Sequence, residues 1–395
     1  LGKVWCTVCP WLAVADWIQK LTFWRKRDKS LSLNLKWPVK LRNIWLAIFF
    51  FVFLTWIEIG HDITISPRGT AYLAVAMFVL TIGSGLIFER NSFCRYGCFV
   101  GRISGMYALF SPVELRSKDK EVCKTCRTKD CIRGNGKGYP CPTFEYPGTM
   151  DLNTYCILCT ECIKTCPHEN ITVRMRPFAA DLYKSMRGSA DEAYMCLALF
   201  GLTFLHTITM TPPWFNLMER LQIMTGWGYV ELFTILMAIL ALSPVSIHYG
   251  FSWVSRRFSG RLDIPKKTVF INFAYALLPV CLFFHMGHNV EHLFLEGQYV
   301  IPAVSDPFGW QWDLFGTADW TVNPTLSVTT TLYIQFALVL IGLIFGLLIA
   351  YKVAFRTFSR VGAIKGFIPM AFLLVVFTLI NGWLLAKPMI SRLGL

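Results

Sequence analysis

CKTCRTKDCIRGNGKGYPCPTFEYPGTMDLNTYCILCTECIKTCP, residues 123–167, holds eight of the fourteen cysteines of the chain. Its second half reads Cys156-x2-Cys159-x2-Cys162-x3-Cys166-Pro167. Three thiolates at that spacing grip one iron–sulfur cube, and the fourth, before a proline, reaches across to a neighbouring cube. The first half is a looser copy, Cys123-x2-Cys126-x4-Cys131, whose last cysteine, Cys141-Pro142, is delayed by an insertion. The spacing predicts two [4Fe–4S] clusters with crossed ligation. Cys123, Cys126, Cys131 and Cys166 hold the first, and Cys156, Cys159, Cys162 and Cys141 hold the second. Structural zinc rarely uses this crossed form, and disulfides are not expected in a segment facing the cytoplasm. Electron transfer is the expected chemistry.

Outward from this stretch the chain is apolar. Of 395 residues 54% are hydrophobic and 16% charged, with a mean hydropathy of +0.48; soluble proteins are about a quarter charged. A spanning helix needs about 20 apolar residues, and seven segments qualify or nearly so: 43–60, 70–89, 193–211, 229–249, 268–295, 328–351 and 364–386. The net charge of +14 would suit nucleic acid, but its placement points to membrane topology instead. With the amino terminus inside, segments 1–42, 90–192, 250–267 and 352–365 carry 9, 16, 5 and 4 Lys and Arg, leaving only Arg68, Arg220, Lys387 and Arg392 outside. That asymmetry predicts a bacterial inner-membrane protein with a cytoplasmic amino terminus and an outer carboxyl terminus, with no nucleic-acid partner. The chain opens on Leu1 without a signal-peptide pattern, as a trimmed amino terminus would.

The expected fold is an all-α polytopic membrane protein with about seven transmembrane helices and an inserted cytoplasmic α+β domain that holds two clusters. Residues 1–42 form a cytoplasmic-side cysteine pair and an interfacial amphipathic helix. Residues 43–89 form helices one and two, 90–192 the cluster domain, and 193–395 helices three to seven. The Gly- and Pro-rich loop from Gly134 to Gly148 carries Cys141 and should wrap closely around a cluster. Tyr155 reads as a packed aromatic, and His168 as a surface histidine or a donor to the cluster. The outer loop 297–327 has no Lys or Arg but holds Phe308, Trp310, Trp312, Phe315 and Trp320, and it is expected to fold back as a lid.

Two further constellations stand out. Cys6-Thr7-Val8-Cys9-Pro10 and Cys94-Arg95-Tyr96-Gly97-Cys98 each precede an amphipathic stretch at the cytoplasmic surface. Four thiolates at one depth could bind a third cluster, copper or zinc, or form redox-active disulfides. Cys196 and Cys281 are single and read as small hydrophobes. Toward the opposite surface, His285, His288 and His292 share one helix face, and His206, His61 and Glu58 fall at the same depth. Ionisable groups there are costly and usually functional. They suit haem b, copper or another metal, or a quinol site in which Glu58 and a histidine accept protons. His248 stands apart and reads as interfacial.

Together these motifs resemble the membrane-bound polyferredoxins of the quinol-dehydrogenase type that accompany periplasmic nitrate and nitrous-oxide reductases. The iron–sulfur proteins of cytochrome oxidase assembly are relatives. The resemblance covers about 1–190 and is strongest at 94–168. It departs from the family's paired CxxxCP pattern at Cys6-x2-Cys9-Pro10, which has two intervening residues, and at Cys98, followed by Phe99 rather than proline. It implies a two-cluster ferredoxin-like insert and quinol-linked electron transfer, with lipid, the quinone pool, and other respiratory subunits or a soluble carrier as partners. Electrons would pass between a quinone or an outer haem or metal site and the cytoplasmic clusters, as an electron-transfer subunit of a quinol-linked oxidoreductase. The hydrocarbon layer is about 30 Å thick, so transfer across it needs a further cofactor within the bundle. The alternative is a copper-reducing or metal-handling assembly factor for a respiratory metalloenzyme.

Overall fold

Apolar runs set the frame. The computed structural model describes residues 2–20, 31–63, 65–184, 188–358 and 360–389. The end of the amino-terminal amphipathic stretch and the basic residues at 25–29 lie outside the described residues, as do 185–187 and the carboxyl end from 390. Five helices among them are long and apolar enough to cross a membrane, so the chain is a mostly helical, multi-pass membrane protein.

The expected count of seven spans does not hold as drawn. The 43–60 segment forms a helix of only 16 residues, about 24 Å long at ~1.5 Å per residue against an apolar layer of about 30 Å. The 193–211 segment stops at Ile208, before Pro212-Pro213 starts a second helix, and the two are bent by 84°; they make a sixth span only if taken as one broken element. The segments expected at 229–249 and 328–351 overrun their ends, to Phe258 and Thr357. Apolar and basic residues continue the helical pattern, as with Arg256 and Arg257 in the last turn of the helix Tyr229–Phe258.

The chain divides into two units, residues 1–199 with 229–238 and residues 200–228 with 239–395. The first opens with α1 (Val4–Thr7) and α2 (Pro10–Lys20), followed by α3 (Trp45–Gly60) and α4 (Pro67–Ile87). Ser66 caps α4 by accepting from the Gly69 N–H, with Pro67 in the first turn, where its missing donor costs nothing. α2 packs on α4 through Leu12 and Ala15, and the Gln19 amide donates to the Gly85 carbonyl at 2.7 Å. Between α4 and α11 (Ala190–Ile208) come α5 (Ser92–Tyr96), α6 (Phe99–Ala108), β1 (Val113–Ser117), α7 (Lys120–Thr125), α8 (Asp130–Arg133), α9 (Glu161–Thr165), β2 (Ile171–Met175) and α10 (Ala180–Tyr183). β1 and β2 form a two-stranded antiparallel sheet with Leu115 opposite Val173. A small core of Leu115, Cys131, Met150 and Ile171 gathers Cys156, Cys162 and Cys166 around it.

The second unit holds α12 (Pro212–Thr225), most of α13 (Tyr229–Phe258), α14 (Lys266–Ala274), α15 (Leu277–Glu291), α16 (Val300–Ser305), α17 (Val328–Thr357) and α18 (Arg360–Leu385). α15 is buried from Leu277 to Phe284 except at Leu282, an apolar helix covered by its neighbours. α17 meets it closely. A Cβ at Gly342 would stand 3.1 Å from the Pro279 carbonyl, and one at Gly346 would stand 3.1 Å from that of Ala276. Small residues four apart let helices in a membrane approach in this way. His248 is fully buried, with its Nε2 2.9 Å from the Phe270 carbonyl, so it is packed among the helices of this unit. In the loop 297–327, Phe308 stacks on Trp310, Trp312 stands edge-on to both, and all three are exposed.

Candidate functional site

The cysteine-rich segment is built from two local copies. Lys129 (φ 51°) and Thr160 (φ 61°) take the left-handed conformation just before α8 and α9. Each is followed by an acidic residue and then a cysteine, so Cys131 and Cys162 occupy the same place in the two short helices. Cys126 and Cys166 end α7 and α9 with almost the same extended geometry, φ −65°, ψ 114° and φ −69°, ψ 115°. This repeat turns thiols from separate segments inward.

They fall into two groups of four. Burial raises the Cys131 thiol to about 12, reinforced by Cys166, Cys123 and Cys126, which lie within its electrostatic reach. Cys141, Cys156, Cys159 and Cys162 line one cavity of about 350 Å³. Burial there pushes the Cys156 thiol to about 11 and Cys162 higher still, with their neighbouring thiols adding to the effect. Four thiolates together repel, and a cationic core among them would reverse the balance. The donors around them suit thiolate sulfur. The Asn170 N–H reaches Cys166 Sγ at 3.4 Å, its side-chain amide reaches Cys123 Sγ at 3.3 Å, and the Glu145 N–H reaches Cys141 Sγ at 3.3 Å. Among the described residues no group of three or more His, Cys, Asp or Glu side chains is placed to hold a single metal ion. In a cube each thiolate bonds its own iron, so the four need not converge on one point. Eight thiols in two groups of four are the donor set that two such clusters would need.

The other four cysteines also meet. Cys6, Cys9, Cys94 and Cys98, from α1 to the start of α6, line a cavity of about 630 Å³. Burial raises the Cys94 thiol well above its ordinary value, and Cys98 and Cys6 add to this. The Gly101 N–H donates to Cys98 Sγ at 3.4 Å. Lys3 lines the same cavity and is 1% exposed. Burial, then the charge of Arg102, lowers its ammonium to about 7. Arg102 is itself 1% exposed, and none of its three guanidinium nitrogens has a hydrogen-bond partner among the described residues. Its guanidinium lies 4.3 Å from the centre of the Tyr155 ring, and so does that of Arg95. Tyr155 is thus a packed aromatic held between two cations, one residue before Cys156. α6 can lie this close only because residue 105 is glycine: a Cβ there would stand 2.3 Å from the Thr154 carbonyl oxygen. Thr143 and Ile157 line both this cavity and that of Cys141, Cys156, Cys159 and Cys162.

Sequence reasoning named all twelve of these cysteines but missed Lys3 and Arg102, which it counted as topology markers. The one signal was their position, three residues before Cys6 and four after Cys98. His168 is exposed. Part of the histidine constellation meets within one unit. In the second unit the rings of His206 and His288 lie 5.3 Å apart and those of His288 and His292 4.9 Å apart, all edge-on. His292 Nδ1 is 2.7 Å from Glu296 Oε2. His285 lies on the same helix, where its carbonyl accepts from Asn289. Glu58 and His61 belong to the first unit, where His61 packs against Trp56. No family model, no curated protein and no solved structure matches this chain.

Proposed function

We propose that this chain is a membrane-bound iron–sulfur electron-transfer protein. It would hold one [4Fe–4S] cluster on Cys123, Cys126, Cys131 and Cys166, and another on Cys141, Cys156, Cys159 and Cys162, in a domain of the bacterial ferredoxin type. The observation that supports the reading is the crossed partition: Cys166 sits with the first motif and Cys141 with the second. When bound, such clusters supply one-electron couples. The chain's own task is to fix the thiolates, supply N–H donors to their sulfurs and exclude water, as the Asn170 and Glu145 contacts do. The Lys and Arg asymmetry favours a cytoplasmic placement of this domain and an outer carboxyl terminus in a bacterial inner membrane. The quinone pool is the membrane partner we assign, with the His206–His288–His292 group accepting protons from a quinol.

The test is iron, acid-labile sulfide and electron paramagnetic resonance on the anaerobically purified chain, beside Cys131→Ser and Cys162→Ser variants. Each variant is expected to lose a different paramagnetic signal and about four irons. A chain without labile sulfide, or one whose two variants lose the same signal, would refute the proposal. Stoichiometric copper in place of iron would instead carry the metal-handling reading.

A further inference from the structure

We propose that Cys6, Cys9, Cys94 and Cys98 hold a third, anionic iron–sulfur cluster, seated between Lys3, Arg102 and the helix Pro67–Ile87. The site stands on its own four cysteines, while the iron counts of its test rest on the two clusters proposed above. Three observations carry it. The four thiols come from two pairs 85 or more residues apart, yet they line one cavity. The residues lining that cavity include no Asp or Glu but include buried Lys3. Arg102, four residues after Cys98, is equally buried and has no hydrogen-bond acceptor among the described residues.

An isolated cation out of water costs several kcal/mol unless a counter-charge meets it. Two such cations beside four thiols define a site for a dianion. Four thiolates around a cube core of charge +2 carry that charge, and Lys3 and Arg102 cancel it. A single zinc with four thiolates would have the same charge, but it needs donors converging on one point, and no described group of three does so. Redox-active disulfides would leave both cations without a counter-charge. Thr81 and Met77, on a helix long and apolar enough to cross a membrane, line the cavity on one side. Thr143 and Ile157 separate it from the Cys141–Cys162 cavity on another. The occupant is therefore placed between the second four-cysteine group and the membrane.

The experiment compares the full chain, purified anaerobically, with a Cys6→Ser/Cys98→Ser double variant and with Arg102→Gln, reading iron, zinc, copper and the redox midpoints of each paramagnetic component. The parent is expected to hold about twelve irons and the double variant about eight. Arg102→Gln is expected to keep all twelve while the midpoint of one component falls and the other two hold, because the lost cation stabilised the more negative, reduced state. A parent with about eight irons overturns the proposal, as does zinc or copper lost only from the double variant. If the double variant does not fold, the parent count and Arg102→Gln still decide, and Arg102→Gln leaving every midpoint in place overturns the assignment. A parent that loses its irons only through Cys131→Ser or Cys162→Ser refutes the third site and leaves the other two standing.

Discussion

Asp181→Asn tests how the second thiol group is held. Asp181 is fully buried and accepts the Asn153 N–H at 2.9 Å, and both terminal nitrogens of Arg176 donate to it. Glu114, 2% exposed, accepts from Arg174 at 2.7 Å and Arg176 at 2.9 Å, with Arg116 at 3.4 Å. Arg116 in turn donates to the Asn153 side chain at 2.9 Å and to the Asp151 carbonyl at 3.0 Å. Two buried carboxylates thus balance two buried guanidiniums, while Arg174 is half exposed, and the network ties the sheet to the loop that delivers Cys156. Asp181→Asn leaves those guanidiniums one carboxylate short. Breaking a buried pair costs about 3–5 kcal/mol. At about 1.4 kcal/mol per tenfold, the opening equilibrium of residues 151–156 should rise by roughly two to three and a half powers of ten. Amide hydrogen exchange over that loop, on the anaerobic chain in detergent, reads this directly. Lys120→Ala is the control: its partner Asp151 is mostly exposed, such pairs contribute about 0–1 kcal/mol, and exchange should shift by less than tenfold. If Asp181→Asn shifts exchange no more than Lys120→Ala does, the network does not position the loop.

The same network sets a pH dependence. Burial alone would raise the Glu114 carboxyl, but the hydrogen bond from Arg174 and the charges of Arg116 and Arg176 hold it below its ordinary value. Its stabilising contribution is therefore complete above the ordinary carboxylate range, about 4.3, and is lost as pH falls through the lowered folded value. Protection factors in β1 should be flat from pH 7 to about 5 and fall in more acid solution, and Glu114→Gln should remove that acid limb. Gly105→Ala should force the Thr154 carbonyl to move, at a cost of about 1–3 kcal/mol, and lower the midpoint of thermal cluster loss followed by visible absorbance. Gly83→Ala, whose added Cβ meets nothing within 4 Å, should not. Tyr155→Leu removes two cation contacts worth about 1–2 kcal/mol each when desolvated, so exchange at residues 154–157 should rise at least tenfold. Tyr155→Phe keeps the ring and should leave it unchanged.

The cysteine groups were legible because short-range spacing encodes them: a left-handed residue, an acid and a cysteine recur at 129–131 and 160–162. The membrane character was legible from the apolar runs. Span lengths were not, because hydropathy does not register where a helix stops. The ends at Gly60 and before Pro212 fall where the apolar runs stop, but the helices that start at Tyr229 and Val328 run on to Phe258 and Thr357, past the expected 249 and 351. The burial of His248 was not legible, because it depends on Phe270, 22 residues on. The histidine group was read from depth alone, and within the second unit His206, His288 and His292 do come together.

Charge was the feature most easily misread, and it bears directly on the chemistry. A tally of Lys and Arg treats every cation as a solvated topology marker, yet Lys3, Arg102, Arg116 and Arg176 are all buried or nearly so. Removing these four from the inner segments still leaves thirty against four outside, so the proposed orientation keeps its basis. What changes is the meaning of the buried four. Each was taken out of water at a cost of several kcal/mol, which a nearby negative charge recovers. Arg116 and Arg176 recover it from Glu114 and Asp181. For Lys3 and Arg102 the negative groups close at hand are cysteine thiols and the Tyr155 hydroxyl, whose own ionisation burial disfavours. Thiols held neutral would leave the two cations uncompensated, whereas thiolates ligating a metal core would not. With the proposed third cluster bound, the same domain would meet one electrostatic requirement in two ways: with carboxylates where the task is to brace a loop, and with sulfur where the task is to hold a metal.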